Sequence, residues 1–406
     1  MRGLLRSRGI AGFTLVEMLV SITILVLLIV LLSRLISGLT LADSGTTSQI
    51  GQFQQARDAF ETITRRISQA TLNAYDDVDP HLSGTNPYVR ASELRFICGN
   101  AEGPSSTSQP YGGLITTSAT GYPTHAIFFQ APLGYTLASG STAAYAGLMN
   151  LMNTVGYYIQ WNSDSNIRPG FLNNAANPIP LRYRMRLMEL VEPSDYLTIY
   201  NYTSGAYPNT SGTTSNSWYY NTQSTNGEAW FLTPLGLNGS LPYTPSVHAI
   251  AENIIFLMLL PMVAPENAQS PLGGNPDGTS TDLAPGYTYD SSPSQSNALP
   301  VSQNQLPPMI YVMMIAVDEK SFGRYEAGRP SPSADPSADL LGFNSPGSPG
   351  SAGSEGTGFL TNSAYQYRMG TPGAPKSGDI YQVTNALANL HISYRIFTAA
   401  VSLTPN

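Results

Sequence analysis

Gly9-Ile10-Ala11-Gly12-Phe13-Thr14-Leu15-Val16-Glu17-Met18-Leu19-Val20-Ser21 begins an apolar run that extends to Ser33. Arg2, Arg6 and Arg8 precede it, and one carboxylate, Glu17, lies inside it. From Phe13 to Ser33, about 21 helical residues at ~1.5 Å each span about 30 Å, the thickness of a bilayer core. An ionised acid in such a segment costs roughly 2.5–3.5 kcal/mol on insertion scales, so Glu17 needs a partner and marks function. The arginines would stay cytoplasmic by the positive-inside rule, which sends the rest of the chain to the other side.

Two simpler readings compete. A cleaved signal peptide would use the small residues around Leu39-Thr40-Leu41-Ala42, yet the run is longer than a signal core and contains Glu17. A plain membrane anchor leaves Glu17 unexplained as well. Gly12-Phe13-Thr14-Leu15-Val16-Glu17 instead resembles the class III signal of type IV prepilins and type II secretion pseudopilins. That resemblance implies a short basic leader, Met1 to Gly12, removed by a prepilin peptidase on the cytoplasmic face. It implies methylation of the new N-terminus at Phe13. It also makes Glu17 the fifth residue of the mature chain. There the amine of a neighbouring subunit's Phe13 would supply the cation that a buried carboxylate requires. Gly12, Phe13 and Glu17 are the expected processing and assembly residues.

Composition narrows the rest. The 406 residues leave room for a large domain, or two, beyond the apolar segment. Charged residues make up 11%, far below the usual quarter, and the gap is filled by small polar residues and Tyr. That balance favours β-structure with long polar loops. A net charge of −7 and no basic patch beyond the N-terminus argue against nucleic acid as a partner. The single Cys98 excludes an intramolecular disulfide and any multi-cysteine metal site.

Past Ser33 the helical pattern continues. Ile50, Phe53, Ala56, Phe60, Ile63, Ile67 and Ala70 recur at steps of three and four, one apolar stripe on an amphipathic helix. The pattern predicts one helix from Phe13 to Leu72, with a weak joint at Asp43-Ser44-Gly45-Thr46-Thr47. Residues 73–87 read as a loop. Its Asp76, Asp77, Asp79 and His81 lack EF-hand spacing, so a solvated loop is favoured over a Ca²⁺ site.

Strands are expected at Ser92–Cys98, His125–Pro132, Val155–Trp161, Leu181–Leu190, Ala249–Val263 (ending at Pro261), Pro307–Glu319 and His391–Thr398, the last continuing to Leu403. Ala143–Asn153 and Asp379–Leu390 read as helices, and Leu197–Tyr200 as a short strand or helix end. Arg182, Arg184 and Arg186 share one face of their strand. They point to a solvated face or carboxylate pairing more than to an acidic partner. Residues 201–228, 264–306 and 327–378 are low-complexity loops; the first is a long surface loop or an insertion, and 327–358 is flexible by composition. Trp218, Tyr219 and Tyr220 in the first could stack a sugar but more often pin a loop to the body.

Catalytic signatures are missing from the sequence. His81, His125, His248 and His391 are far apart, with no HExxH, GxSxG or Walker loop. Glu189, Glu192 and Asp195 are close in sequence, but Pro193 between them favours a strand-ending turn over an acid/base pair.

Downstream segments carry a closer resemblance. Phe60-Glu61, Arg65 to Asn73, Ser92-Glu93-Leu94-Arg95-Phe96, Phe128 to Gly134, Arg186 to Leu190, Ala251-Glu252-Asn253, Leu306-Pro307-Pro308 and Tyr394-Arg395-Ile396-Phe397 are similar to the Verru_Chthon cassette protein C family. Those are prepilin-like proteins of Verrucomicrobia, encoded beside other pilin-like members. The order of elements also resembles, distantly, the J-type minor pseudopilin of type II secretion.

The expectation is an α+β, pilin-like fold. Residues 1–12 form the leader, 13–41 the transmembrane half of the N-terminal helix and 42–72 its amphipathic half. Residues 73–406 form an antiparallel β-domain outside the cytoplasm. The expected function is that of a structural subunit, a minor pilin or pseudopilin, in a type IV pilus-like or type II secretion-like filament. The alternative is an extracellular binding module, an adhesin or glycan binder, displayed on such a filament. The expected partners are prepilin peptidase, other pilin-like subunits of the same cassette and the inner membrane. No enzymatic activity, cofactor or metal is expected.

Overall fold

The computed structural model describes residues 14–78, 88–101, 114–115, 121–137, 147–165, 167–173, 179–200, 229–237, 246–262, 289–291, 304–341 and 379–403. The chain divides into two units, Met1–Gly51 and Gln52–Asn406. One helix, α1 (Leu15–Ile67), supplies the described part of the first unit and opens the second.

In the first unit, apolar side chains surround the helix on every side. Leu15, Leu19, Ile22, Leu25, Ile29 and Leu32 are each more than half exposed. A helix apolar all round belongs in a core or in a membrane. Leu15–Leu39, 25 residues, is long and apolar enough to cross a bilayer. Three of its hydroxyls bond within the helix: Ser21 Oγ donates to Glu17 O, Thr23 Oγ1 to Val20 O and Ser37 Oγ to Ser33 O. The helix runs unbroken through residues 43–47, where a joint was expected. A single glycine costs a helix about 1 kcal/mol, too little to end one this long.

In the second unit, the stripe of α1 is buried from Phe53 onward: Phe53, Ala56, Ala59, Phe60, Ile63 and Ile67. Ile50, placed in the stripe by periodicity, is 54% exposed. The helix ends at Ile67, short of Leu72, in a tight turn. Gln69 N–H donates to Arg66 O and Ala70 N–H to Ile67 O, and Thr71 N–H then joins Gln130 O.

The strands are β1 (Tyr75–Val78), β2 (Tyr88–Ala91), β3 (Ile97–Asn100), β4 (His125–Pro132), β5 (Met152–Ser163), β6 (Tyr183–Glu192), β7 (Ser246–Glu252), β8 (Ile254–Met262), β9 (Tyr289–Asp290), β10 (Met309–Val317) and β11 (Tyr394–Ser402). They form a hairpin β1-β2, a six-stranded sheet β7-β6-β5-β4-β3-β9 and a three-stranded sheet β11-β10-β8, with every pairing antiparallel. The fold is α+β. The short helices are α2 (Ala229–Leu232), α3 (Glu319–Ala327), α4 (Ser337–Leu341) and α5 (Asp379–Asn389).

The six-stranded sheet is covered on both faces. One face, with Phe129, Tyr157, Ile159 and Leu187, shares a core with the α1 stripe, the three-stranded sheet, α3, α4 and α5. The other, with Phe128, Tyr158 and Leu190, packs under Trp230 and Phe231 of α2, Phe128 and Phe231 stacking 4.2 Å apart. Gly156 on β5 is required here, since a Cβ would enter the ring of Phe128.

Several expected elements differ, each for a visible reason. Ser92–Cys98 is not one strand, because side chains satisfy its backbone in place of a ladder. Asn73 Oδ1 accepts from Glu93 N and Leu94 N, Gln130 Oε1 from Arg95 N, and Ser291 Oγ from Phe96 N. Residues 73–87 are not wholly loop, since Tyr75–Val78 pairs in the hairpin. Of the helix expected at 143–153, residues 147–150 form turns and Met152 already starts β5. Thr198–Tyr200 is a single 3₁₀ turn.

Ala249–Val263 is two strands in two sheets. Asn253 sits between them at φ 58°, a left-handed conformation that Asn tolerates, and the chain turns the corner there. Pro261 does not end the second strand. Leu257 and Leu259 turn their N–H groups away from β10, and Pro261, two residues on, lacks only an outward donor. Asp318 does more than end β10: its Oδ2 accepts from Ser321 N and caps α3. The stretch from 327, read as flexible, contains α4, whose Leu340 and Leu341 are buried.

Candidate functional site

The start of α1 has the sequence Thr-x-x-Glu of a capping box, and the geometry follows. Thr14 Oγ1 accepts from Glu17 N at 3.3 Å, and Glu17 Oε2 accepts from Thr14 N at 3.0 Å and from Thr14 Oγ1 at 3.0 Å. The carboxylate thus folds back over the first turn, towards the residue that follows Phe13. An acid at this end also complements the helix dipole. Both contacts use Oε2, and Oε1 has no hydrogen-bond partner among the described residues. Gly12 and Phe13, the expected processing pair, lie outside the described residues, as do Asp79, His81, Trp218, Tyr219 and Tyr220.

Residues 7–33 match the model of the prokaryotic N-terminal methylation motif. That motif marks a type IV pilin-like precursor, a substrate of prepilin peptidase, and with the apolar helix it marks membrane anchoring. Comparison with curated proteins and with solved structures gives no match. The motif covers Thr14 and Glu17 and ends inside the Leu15–Leu39 span.

The other charged side chains gather where α1 meets the sheets. Arg66, at the flank of the apolar stripe of α1, reaches Glu189 of β6, Nη1 to Oε1 at 2.5 Å. Tyr157 of β5 donates to the same oxygen at 2.6 Å, and His248 of β7 lies 3.2 Å from Oε2. Glu189 is 3% exposed, so three strands and the helix converge on one buried carboxylate. Burial first, then the charge of Glu189, pushes the Tyr157 hydroxyl up, which keeps it a donor.

A second network joins β6 to α3. Arg184 bonds Glu319 at 2.7 Å and also pairs with Glu326, while Arg182 reaches Glu319 at 2.8 Å and Arg186 reaches Glu252 at 3.1 Å. The three arginines are thus paired with carboxylates, the second of the readings their spacing allowed. Burial alone would raise the Glu319 carboxyl, but hydrogen bonds and charge from Arg184 and Arg182, with Asn253, hold it below its ordinary value. Gln52, the first residue of the second unit, closes this end. Its Nε2 donates to Val317 O at 2.8 Å and its Oε1 accepts from Glu319 N at 2.8 Å.

Glu189, Glu192 and Asp195 do not converge. Glu192 accepts from Thr198 N, and Asp195 accepts from Leu137 N and Thr136 Oγ1. Cys98 is buried and free, with burial pushing its thiol up and out of the reactive range. His125 is wholly buried, accepts from Leu259 N at Nδ1, and is pushed down to about 3 by burial. Among the described residues, no three His, Cys, Asp or Glu side chains stand close enough to hold a metal ion.

Sequence reasoning missed the Arg66–Glu189 clamp and the Gln52 clamp. The available signal was position. Each lies beside the stripe residue Ile67 or Phe53, at the flank where a docked helix meets its sheet.

Proposed function

We propose that the protein is a minor-pilin or pseudopilin-type subunit of a type IV pilus-like or type II secretion-like filament. Prepilin peptidase cuts after Gly12 and methylates Phe13. The mature chain waits in the inner membrane with its β-domain on the periplasmic side. It then joins other pilin-like subunits of its cassette, with a structural and not a catalytic role.

The observation that carries this reading is the Thr14–Glu17 arrangement inside a methylation motif. An acid in an apolar span is a functional group by default. Here Oε2 is committed to the helix's own first turn, which leaves Oε1 for a cation. The ammonium of a neighbouring subunit's Phe13 supplies one once the leader is gone. Pairing neutralises two groups that hydrocarbon tolerates poorly singly, and it sets the axial register between subunits. The α1 face from Phe53 to Ile67, closed against the β-domain, supports the same reading, since it makes helix and domain one body from Gln52 on.

The test is Glu17→Ala. Mass spectrometry of the variant finds an N-terminus at N-methyl-Phe13, as in the parent, while the variant fails to enter sheared filaments. Normal incorporation of Glu17→Ala would refute the charge pair. An intact Met1, or a start at Asp43, in the parent protein would refute the pilin reading itself.

A further inference from the structure

The loop between β5 and β6 is apolar at its tip and tied at its base. Ile167, Phe171, Ile179 and Leu181 are 60%, 76%, 52% and 43% exposed, with Phe171 in a 3₁₀ turn, Gly170–Asn173. Single exposed apolar residues are ordinary, but four large ones on one short loop form a patch. Arg168 and Asp164 on the β5 limb bind the β6 limb beneath it. The Arg168 side chain is buried. Its Nη1 donates to Ile179 O at 3.0 Å, and its Nη2 donates to Pro180 O at 2.9 Å and to Asp164 Oδ1 at 2.6 Å. Asp164 Oδ1 also accepts from Arg182 N, and Asp164 N–H donates to Arg182 O.

The tip carries no uncommitted charge. Residues 166–182 contain no carboxylate in sequence. Their two arginines are engaged, Arg168 with Asp164 and Arg182 with Glu319. A tip of this kind can leave water without stranding an ion.

Size and connectivity choose the occupant. At these exposures, four side chains of about 200 Å² each offer on the order of 500 Å², against the ~800 Å² per partner of a stable protein interface. A small loop tip suits a fluid surface, which needs no matching shape. Gln52, where the chain enters the second unit, donates to Val317 O and accepts from Glu319 N, and Glu319 pairs with Arg182 at the base of the loop. The loop and the entry point therefore share one end of the β-domain. Residues 40–51 separate Gln52 from the span that ends at Leu39, and a stretch of that length reaches at most about 45 Å in any conformation. The tether keeps a bilayer at high effective concentration near this end.

We propose that the tip of the β5–β6 loop inserts into the interface of the phospholipid bilayer that the chain's own span crosses, with Ile167, Phe171, Ile179 and Leu181 as its contacts. Phe and aliphatic side chains are the kind that settle at the boundary of headgroups and acyl chains. The contact rests on membrane anchoring and not on assembly, so it holds for a subunit outside any filament.

The test places the full-length protein, one per nanodisc, in phosphatidylcholine, with a nitroxide on Phe171→Cys. Cys98 is buried and stays unlabelled, which the parent protein checks. The label's access to oxygen, which partitions into lipid, is compared with its access to a nickel chelate, which stays in water. The oxygen-to-nickel ratio should be several-fold higher than for Met149→Cys, an exposed position just before β5 and so at the other end of that strand. Ile29→Cys, in the span, gives the value for hydrocarbon. Adding Ile179→Asp to Phe171→Cys puts a charge on the tip and leaves the Ile179 carbonyl to Arg168. It should lower the ratio to the Met149→Cys level. Equal ratios at 171 and 149 with position 29 in hydrocarbon would overturn the proposal. So would low access to both reagents at 171, which reports a protein contact, or a high ratio that Ile179→Asp does not move. A water-like Ile29→Cys would remove the membrane anchoring, and the proposal with it.

Discussion

Leu15–Leu39 and Phe53–Ile67 belong to one helix, the first with Glu17 and Arg34 among apolar residues, the second with five charged residues beside an apolar stripe. In the first segment the apolar side chains face outward all round and Glu17 is held by its own helix turn. In the second they form a stripe facing two sheets, and Arg66 is held by Glu189, 123 residues away in sequence. The comparison teaches that one helix can be written for two solvents. Lipid needs no partner for an apolar residue, so local capping suffices. A protein core needs shape and charge supplied from elsewhere in the chain.

Substitutions of one kind in the two segments should therefore separate. Ile63→Ala, in a wholly buried position, should lower the unfolding free energy of the β-domain by about 4 kcal/mol through lost burial and a cavity. Ile22→Ala should leave it unchanged in detergent urea titrations of the full chain. Equal effects would break the comparison. Arg66→Met should cost about 3 kcal/mol in the same titration, because it strands a buried carboxylate. Glu17→Gln should cost the β-domain nothing.

Acid should act on the β-domain before it acts on the helix. His125 is held down to about 3 by burial, against an ordinary value of 6.5. Below pH 6.5 the unfolded chain takes up a proton that the folded chain refuses, so stability falls as pH falls from 6.5 towards about 3. Between pH 7 and pH 5 the loss should be about 2 kcal/mol, read from thermal melts, and His125→Gln should flatten it. A slope unchanged in that variant would remove His125 as the cause. Glu319 adds a loss in the same direction at lower pH, because its carboxyl is held below the ordinary value by Arg184. The smallest effect is Gln52→Ala, about 1 kcal/mol for two amide hydrogen bonds at the half-buried entry to the domain.

Legibility in the sequence followed how local each interaction is. The apolar span was read directly from its composition, whereas the capping box of Thr14 and Glu17, equally local, went unread until the structure showed it. The stripe from Phe53 to Ile67 followed from period alone. Strands β4, β6, β10 and β11 followed from their apolar runs. What escaped was contributed by distant side chains. No local rule says that Asn73 will occupy the backbone of Glu93 and Leu94, that Thr124 and His125 will close the edge of β8, or that Asn253 will carry the chain from one sheet to the other. Asp318 could have been found, since Asp before a short amphipathic run is a helix-capping signal.

The sequence by itself determined the processing signal, the membrane span, the position of Glu17 and the α+β class, because each depends on composition, period or spacing within a few residues. Only the tertiary structure decided how the strands divide into a hairpin and two larger sheets, that Arg66 and Glu189 meet, and that Arg182, Arg184 and Arg186 are neutralised. Those outcomes turn on which backbone donors and which charges find partners far along the chain, and pairing of that kind is fixed only when the core closes.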